Sequence, residues 1–82
     1  MKLVLAHQTP RGPVFIGFDG RTGRYHIVWK GESLGAYINA PQAIDDAAGG
    51  HCFSPSDGTD LGALGISSEI GDWEPASHFD NS

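Results

Sequence analysis

Two short runs of β-forming residues flank one tight turn, and this hairpin constrains the fold more than any other feature of the chain. Val14-Phe15-Ile16-Gly17-Phe18 comes first and Tyr25-His26-Ile27-Val28-Trp29 second. Between them lies Asp19-Gly20-Arg21-Thr22-Gly23, whose Asp-Gly pair suits a hairpin turn. Side chains alternate along a strand, so Tyr25, Ile27 and Trp29 share one face and His26 and Val28 the other. Lys30-Gly31-Glu32 reads as a further turn. Ser33 to Ile38 then reads as a third strand, with Leu34, Ala36 and Ile38 on one side and Tyr37 on the other. Strands joined this closely form an antiparallel meander. Leu3 to Ala6 offers a fourth, edge strand, set apart by Pro10 and Pro13.

The apolar period changes after Ile38. Asn39 can cap exposed N–H groups, and Pro41 sits where a missing N–H costs nothing. Ile44, Ala47 and Ala48 share one helical face with Ala40, whereas Gln42, Asp45 and Asp46 fall elsewhere. Gly49-Gly50 then supplies a left-handed stop. The spacing predicts a helix over Pro41–Ala48, and a core in which Ile27, Leu34 or Ala36, Ile44 and Ala47 meet. From His51 to Asp60 the chain reads as a loop. Leu61 to Ile66 reads as a helical turn pinned by Leu61, Leu64 and Ile66. A last turn spans Ser67 to Trp73, capped by Ser67 or Ser68, with Ile70 and Trp73 facing inward. Pro75 to Ser82 is expected to fray.

These elements predict one small α+β domain spanning residues 1–82: a three-stranded antiparallel sheet, an optional fourth edge strand, one short helix packed on it, and an irregular C-terminal segment with short helical turns. The 82 residues are 39% hydrophobic, enough for one core. The only cysteine is Cys52, so no internal disulfide is available, which fits a reducing compartment. The apolar run Leu3–Ala6 is shorter than the roughly 7–15 residues of a signal peptide, and nothing approaches the ~18 of a membrane span. The expectation is a cytoplasmic protein of a bacterial cell.

Charge divides the chain in two. Lys2, Arg11, Arg21, Arg24 and Lys30 are the only basic residues, and Asp19 is the only acid among them. Beyond Lys30 stand Glu32, Asp45, Asp46, Asp57, Asp60, Glu69, Asp72, Glu74 and Asp80, with no Lys or Arg. The net charge of −5 therefore separates into +4 and −9. A split this sharp suggests an electrostatically directed partner, although acids of this kind also serve solubility.

Reactive chemistry is not apparent. The four histidines and Cys52 lack the paired spacing of a zinc site. His51 and Cys52 are adjacent, which on an extended chain turns their side chains apart. Asp57-Gly58-Thr59-Asp60 lacks the ligand spacing and terminal Glu of a calcium loop. His51, Ser54 and Asp57 sit in one loop, whereas catalytic triads draw on separate elements. Gly17, Gly20 and Gly23 cross a hairpin and do not open a helix, so they make no phosphate loop. No catalytic, cofactor-binding or metal-binding residue is assigned, and the chain is expected not to be an enzyme.

The acids remain as the binding candidates, led by Asp45, Asp46, Asp57, Asp60, Glu69, Asp72 and Glu74. A domain this size is about 30 Å across. Duplex DNA carries on the order of 18 charges over that length, only half facing one way. Nine unbalanced carboxylates approach that density, so a protein that grips nucleic acid could accept this surface instead. In size, acidity and want of an active site the chain resembles anti-CRISPR proteins, including those acting on type I systems. That resemblance implies an inhibitor of phage type that acts by DNA mimicry. The implied partner is a basic nucleic-acid-binding protein or complex, such as a CRISPR effector subunit, with no membrane and no direct nucleic-acid contact. The stretch from Tyr25 through Gly50 also looks like short bacterial proteins of unassigned function. The alternative, a small DNA-binding or regulatory protein-interaction module, comes from the hairpin Arg21–Lys30. Strands followed by a helix resemble the sheet-reading domains of plant transcription factors and the arm-binding domains of phage integrases. There Arg21, Arg24 and Lys30, interleaved with Tyr25 and Trp29, would touch nucleic acid.

Overall fold

The structure is a computed structural model that describes residues 1–79. Four consecutive strands form the expected meander: β1 (Lys2–His7), β2 (Val14–Asp19), β3 (Arg24–Trp29) and β4 (Glu32–Tyr37). A two-residue strand, β5 (Glu74–Pro75), returns along β1, so the sheet has five strands, all antiparallel, in the order β4-β3-β2-β1-β5. The reading of three strands with an optional fourth is thereby corrected. Two residues are too few to carry a periodic signal, which is why β5 escapes the sequence. From Pro75, where fraying is expected, the described residues make ordered contacts. Pro75 pairs with Leu5, Ala76–His78 form a 3₁₀ turn, and Phe79 meets Phe15 edge-on at 6.3 Å. The rest of that tail, residues 80–82, lies outside the described residues, and Asp80 with it.

The turns follow their residues. At β2–β3 the Asp19 carbonyl accepts the Gly23 N–H at 2.8 Å, and its carboxylate accepts the Arg21 N–H at 3.0 Å. At β3–β4 Lys30 and Gly31 have φ of 49° and 82°, the paired positive values of a two-residue hairpin. Lys30 is the only residue other than glycine with positive φ among those described. Its ammonium lies over the Trp29 ring, 5.4 Å from the centroid, and 3.7 Å from Asp57.

Helix α1 (Ala40–Gly49) crosses one face of the sheet. The Asn39 side chain accepts the Gln42 N–H at 2.8 Å, and Gly50, at φ 72°, closes the far end. A side chain at Gly50 would come within 3.0 Å of the Gly62 backbone, so the close approach of these two segments needs glycine there. Val14 and Ile16 of β2, Ile27 and Trp29 of β3 and Leu34 of β4 meet Ala43, Ile44 and Ala47 of the helix. Leu61, Ile66 and Trp73 complete this core.

Two face assignments need correction. The β3–β4 register shifts between His26 and Val28, and Gly35 on the facing stretch has φ 148°. That irregularity exchanges the two sides of β4: Leu34 stays buried, Tyr37 lies opposite Tyr25, Ala36 is exposed and Ile38 is 70% exposed. A strict period of two cannot foresee such a bulge. In the last turn Trp73 is buried as expected, but Ile70 is 50% exposed. Ile70–Asp72 forms a single 3₁₀ turn, too short to hold both side chains inward.

Candidate functional site

The seven carboxylates singled out from the sequence all belong to the layer that covers the sheet, or to its edge. They do not form one equivalent set. Three tie down the loops and short turns after the helix, two through backbone N–H groups and one through a hydroxyl. Asp57 accepts the Trp29 indole N–H at 3.0 Å and the Thr59 N–H at 2.9 Å, and pairs with Lys30. The Thr59 backbone bond, then the Trp29 indole and Lys30, hold its carboxyl down to about 2. Asp60 caps the 3₁₀ turn Leu61–Ala63 by accepting the Gly62 N–H at 3.0 Å. Asp72 accepts the Ser67 hydroxyl at 2.6 Å.

The other four are freer. Glu74 faces His78 at 3.5 Å across one exposed turn. Asp45 is exposed on α1, as expected. Asp46 is half-buried instead, because it lies beside Tyr37. Burial, and then the Asp46 carboxylate, push the Tyr37 phenol up. Glu69 donates its backbone N–H to the Ser67 hydroxyl and is exposed. Ser67 thus organises the turn as the sequence suggested, although it bonds Glu69 and is not the N-cap of Ile70–Asp72.

Cys52 is half-buried near Asp46 and Asp60, and burial, with these carboxylates adding to it, pushes its thiol up. A thiol held protonated is a poor nucleophile. Cys52 lines a depression of about 120 Å³ with Phe53, Pro55 and Thr59. A wider and shallower one of about 400 Å³ lies at the C-terminal end of α1, between Asp45, His51 and Ser68. No three His, Cys, Asp or Glu side chains converge as metal ligands among the described residues. No described helix is long and apolar enough to cross a membrane.

Three of the cations sit apart from these acids, whereas Arg11 lines a depression with Asp57 and Asp60. Lys2 lies opposite Phe18, Phe18 opposite Tyr25, and Arg24 opposite Asp19, so Lys2, Arg21 and Arg24 gather at the β2–β3 end of the sheet. All three are exposed, and none makes an ion pair among the described residues. The Phe18 and Tyr25 rings beside them are 5.0 Å apart. Lys30 stands at the opposite end, bound to Asp57.

Sequence reasoning missed two participants. Glu32 accepts both the N–H and the hydroxyl of Ser56 at 2.9 Å, tying the loop to β4. His7 accepts the Ser67 N–H at 3.3 Å and stacks edge-on to Trp73 at 5.3 Å. Both contacts join residues far apart in the chain, and no local pattern signals them. The chain matches no family model, no curated protein and no solved structure.

Proposed function

We propose that this chain is a non-enzymatic binding domain whose acidic covering layer enters the basic cleft of a nucleic-acid-binding protein, as a mimic of DNA of the anti-CRISPR kind. The observation that carries this reading is the want of counter-charge. Asp45, Asp46, Asp60, Glu69 and Asp72 have no Lys or Arg within ion-pair distance among the described residues, and only Asp57 is paired to a basic residue. A partner that brings guanidinium and ammonium groups would supply what the fold leaves out, and its encounter would be steered and salt-dependent. Asp45, Glu69 and Glu74 lead, because their carboxylates hold no backbone of the domain. Asp46 stands beside them, while Asp57, Asp60 and Asp72 chiefly shape the loops.

The test is retrieval of partners from a bacterial lysate by the wild-type chain and by the triple variant Asp45→Lys, Glu69→Lys, Glu74→Lys. The expected result is a nucleic-acid-binding complex that is displaced by added duplex DNA and lost with the variant. Retrieval that ignores both DNA and the three reversals would overturn the reading.

One observation favours a second reading. The exposed Lys2 shares a face with the Phe18–Tyr25 ring pair, and Arg21 and Arg24 stand at the same end of the sheet, a combination suited to phosphates and a stacked base. In that case a labelled single-stranded oligonucleotide would bind the wild-type chain and fail to bind Arg21→Glu/Arg24→Glu, with the three acids dispensable.

A further inference from the structure

The C-terminal part of the covering layer is attached to the sheet by very little backbone. β5 pairs with β1 at only two positions, Leu5 with Pro75 and Ala6 with Glu74. Just before it, Ser67 concentrates the remaining polar contacts. Its N–H donates to His7 Nε2 at 3.3 Å, and its carbonyl accepts the Trp73 indole N–H at 2.9 Å. Its hydroxyl donates to Asp72 and accepts from the Glu69 N–H.

The partners of His7 fix its protonation state. Nδ1 lies 2.8 Å from the Gln8 carbonyl, which can only accept, so Nδ1 carries the proton. Nε2 faces the Ser67 N–H, which can only donate, so Nε2 must be bare. The contact exists only for the neutral ring. A proton on Nε2 would set two donors face to face and leave the Ser67 N–H without a partner.

We propose that His7 is a pH-operated latch: its neutral imidazole holds the Ser67 turn on strand β1, and its protonation frees that turn while Ile66 and Trp73 stay in the core. The charged groups on the segments next to it are Arg11 in the turn after β1, Glu69 and Asp72 on the stretch that carries Ser67, and Glu74 on β5 with His78 beside it. Val14, opposite His7 on β2, carries no charge. The three carboxylates attract an imidazolium and act against release. They are exposed and screened, however, and Asp72 is already taken up by Ser67. The lost acceptor has no such substitute. Ser67 binds Asp72 and the Glu69 N–H, so freeing the turn would loosen two of the seven candidate carboxylates. That consequence rests on the DNA-mimic reading, whereas the latch itself does not.

The test uses the full chain, labelled with ¹⁵N, and no partner, so its outcome is independent of whether the acids bind anything. The two indole N–H signals report separately, since Trp73 donates to Ser67 and Trp29 to Asp57. Between about pH 7.5 and about pH 5, where imidazoles change charge, the Trp73 signal should move while that of Trp29 stays. Over the same range the Ser67 amide should lose about tenfold of its exchange protection, after correction for intrinsic rates. His7→Gln keeps an acceptor without a titrating charge and should be flat over this range. His7→Phe keeps a ring against Trp73 but no acceptor, and should show the released Ser67 signal already at neutral pH with Trp29 unchanged. The same pH response in His7→Gln as in the wild type would overturn the proposal. So would a titrating His7 ring with Ser67 and Trp73 unmoved.

Discussion

The sheet, residues 1–38, and its cover, residues 39–79, satisfy their backbones in different ways. In the sheet, N–H and C=O groups pair along the ladders from β1 to β4. In the cover, beyond the one helix, side chains take over much of that work. Asn39 caps α1, Asp57 holds Thr59, Asp60 holds Gly62, Ser67 holds Glu69, and Glu32 and His7 reach across from the sheet. The difference shows why acids accumulate after Lys30. A carboxylate is a strong acceptor for stray N–H groups, so part of the acidity is structural and only the remainder is available to a partner.

The comparison can be broken at the joint between the halves, with Ile44→Ala. Ile44 is fully buried where the helix meets β2, β3 and β4, so the substitution should cost about 2–4 kcal/mol in urea unfolding. A loss below about 0.5 kcal/mol would mean that the cover is not seated on the sheet through this helix. A smaller effect tests the caps: Asn39→Ala should cost about 1 kcal/mol, and Asn39→Ser much less. Equal losses from both would show that the cap bond at Gln42 does not matter.

The smallest effect concerns Asp57, because the group is exposed. Its pKa is depressed on folding, so what it adds to stability is present above the usual carboxylate range, near 4, and fades as pH falls towards about 2. Acid unfolding of Asp57→Asn should therefore lose its pH dependence between about pH 4 and about pH 2 relative to the wild type. An unchanged acid limb would separate Asp57 from the stability of the Trp29–Lys30 turn.

What could be read from the sequence follows the same division. The hairpin, the third strand, the helix with both caps, and buried Ile27, Leu34, Ile44 and Ala47 all rest on local period and local turn chemistry, which the chain displays openly. Beyond Gly50 the order comes from contacts such as Trp29 with Asp57 and His7 with Ser67, which lie 28 and 60 residues apart. No window of sequence contains both partners. Asp45 could be placed outward from helical spacing alone. The structural duties of Asp57, Asp60 and Asp72 could not, because an acid that holds a loop and an acid that meets a partner look alike until the fold supplies their neighbours.

The bulge on β4 and the short strand β5 bear on how the protein behaves at high concentration. Sheets tend to grow by adding strands from other molecules at their open margins. On one margin here, the Leu34 carbonyl is taken by the Phe53 N–H at 3.0 Å and Gly35 breaks the repeat. On the other, β5 blocks the middle of β1 and Lys2 places a charge at its start. The two irregularities that a strict strand period does not foresee thus guard a small sheet against stacking edge to edge into fibres.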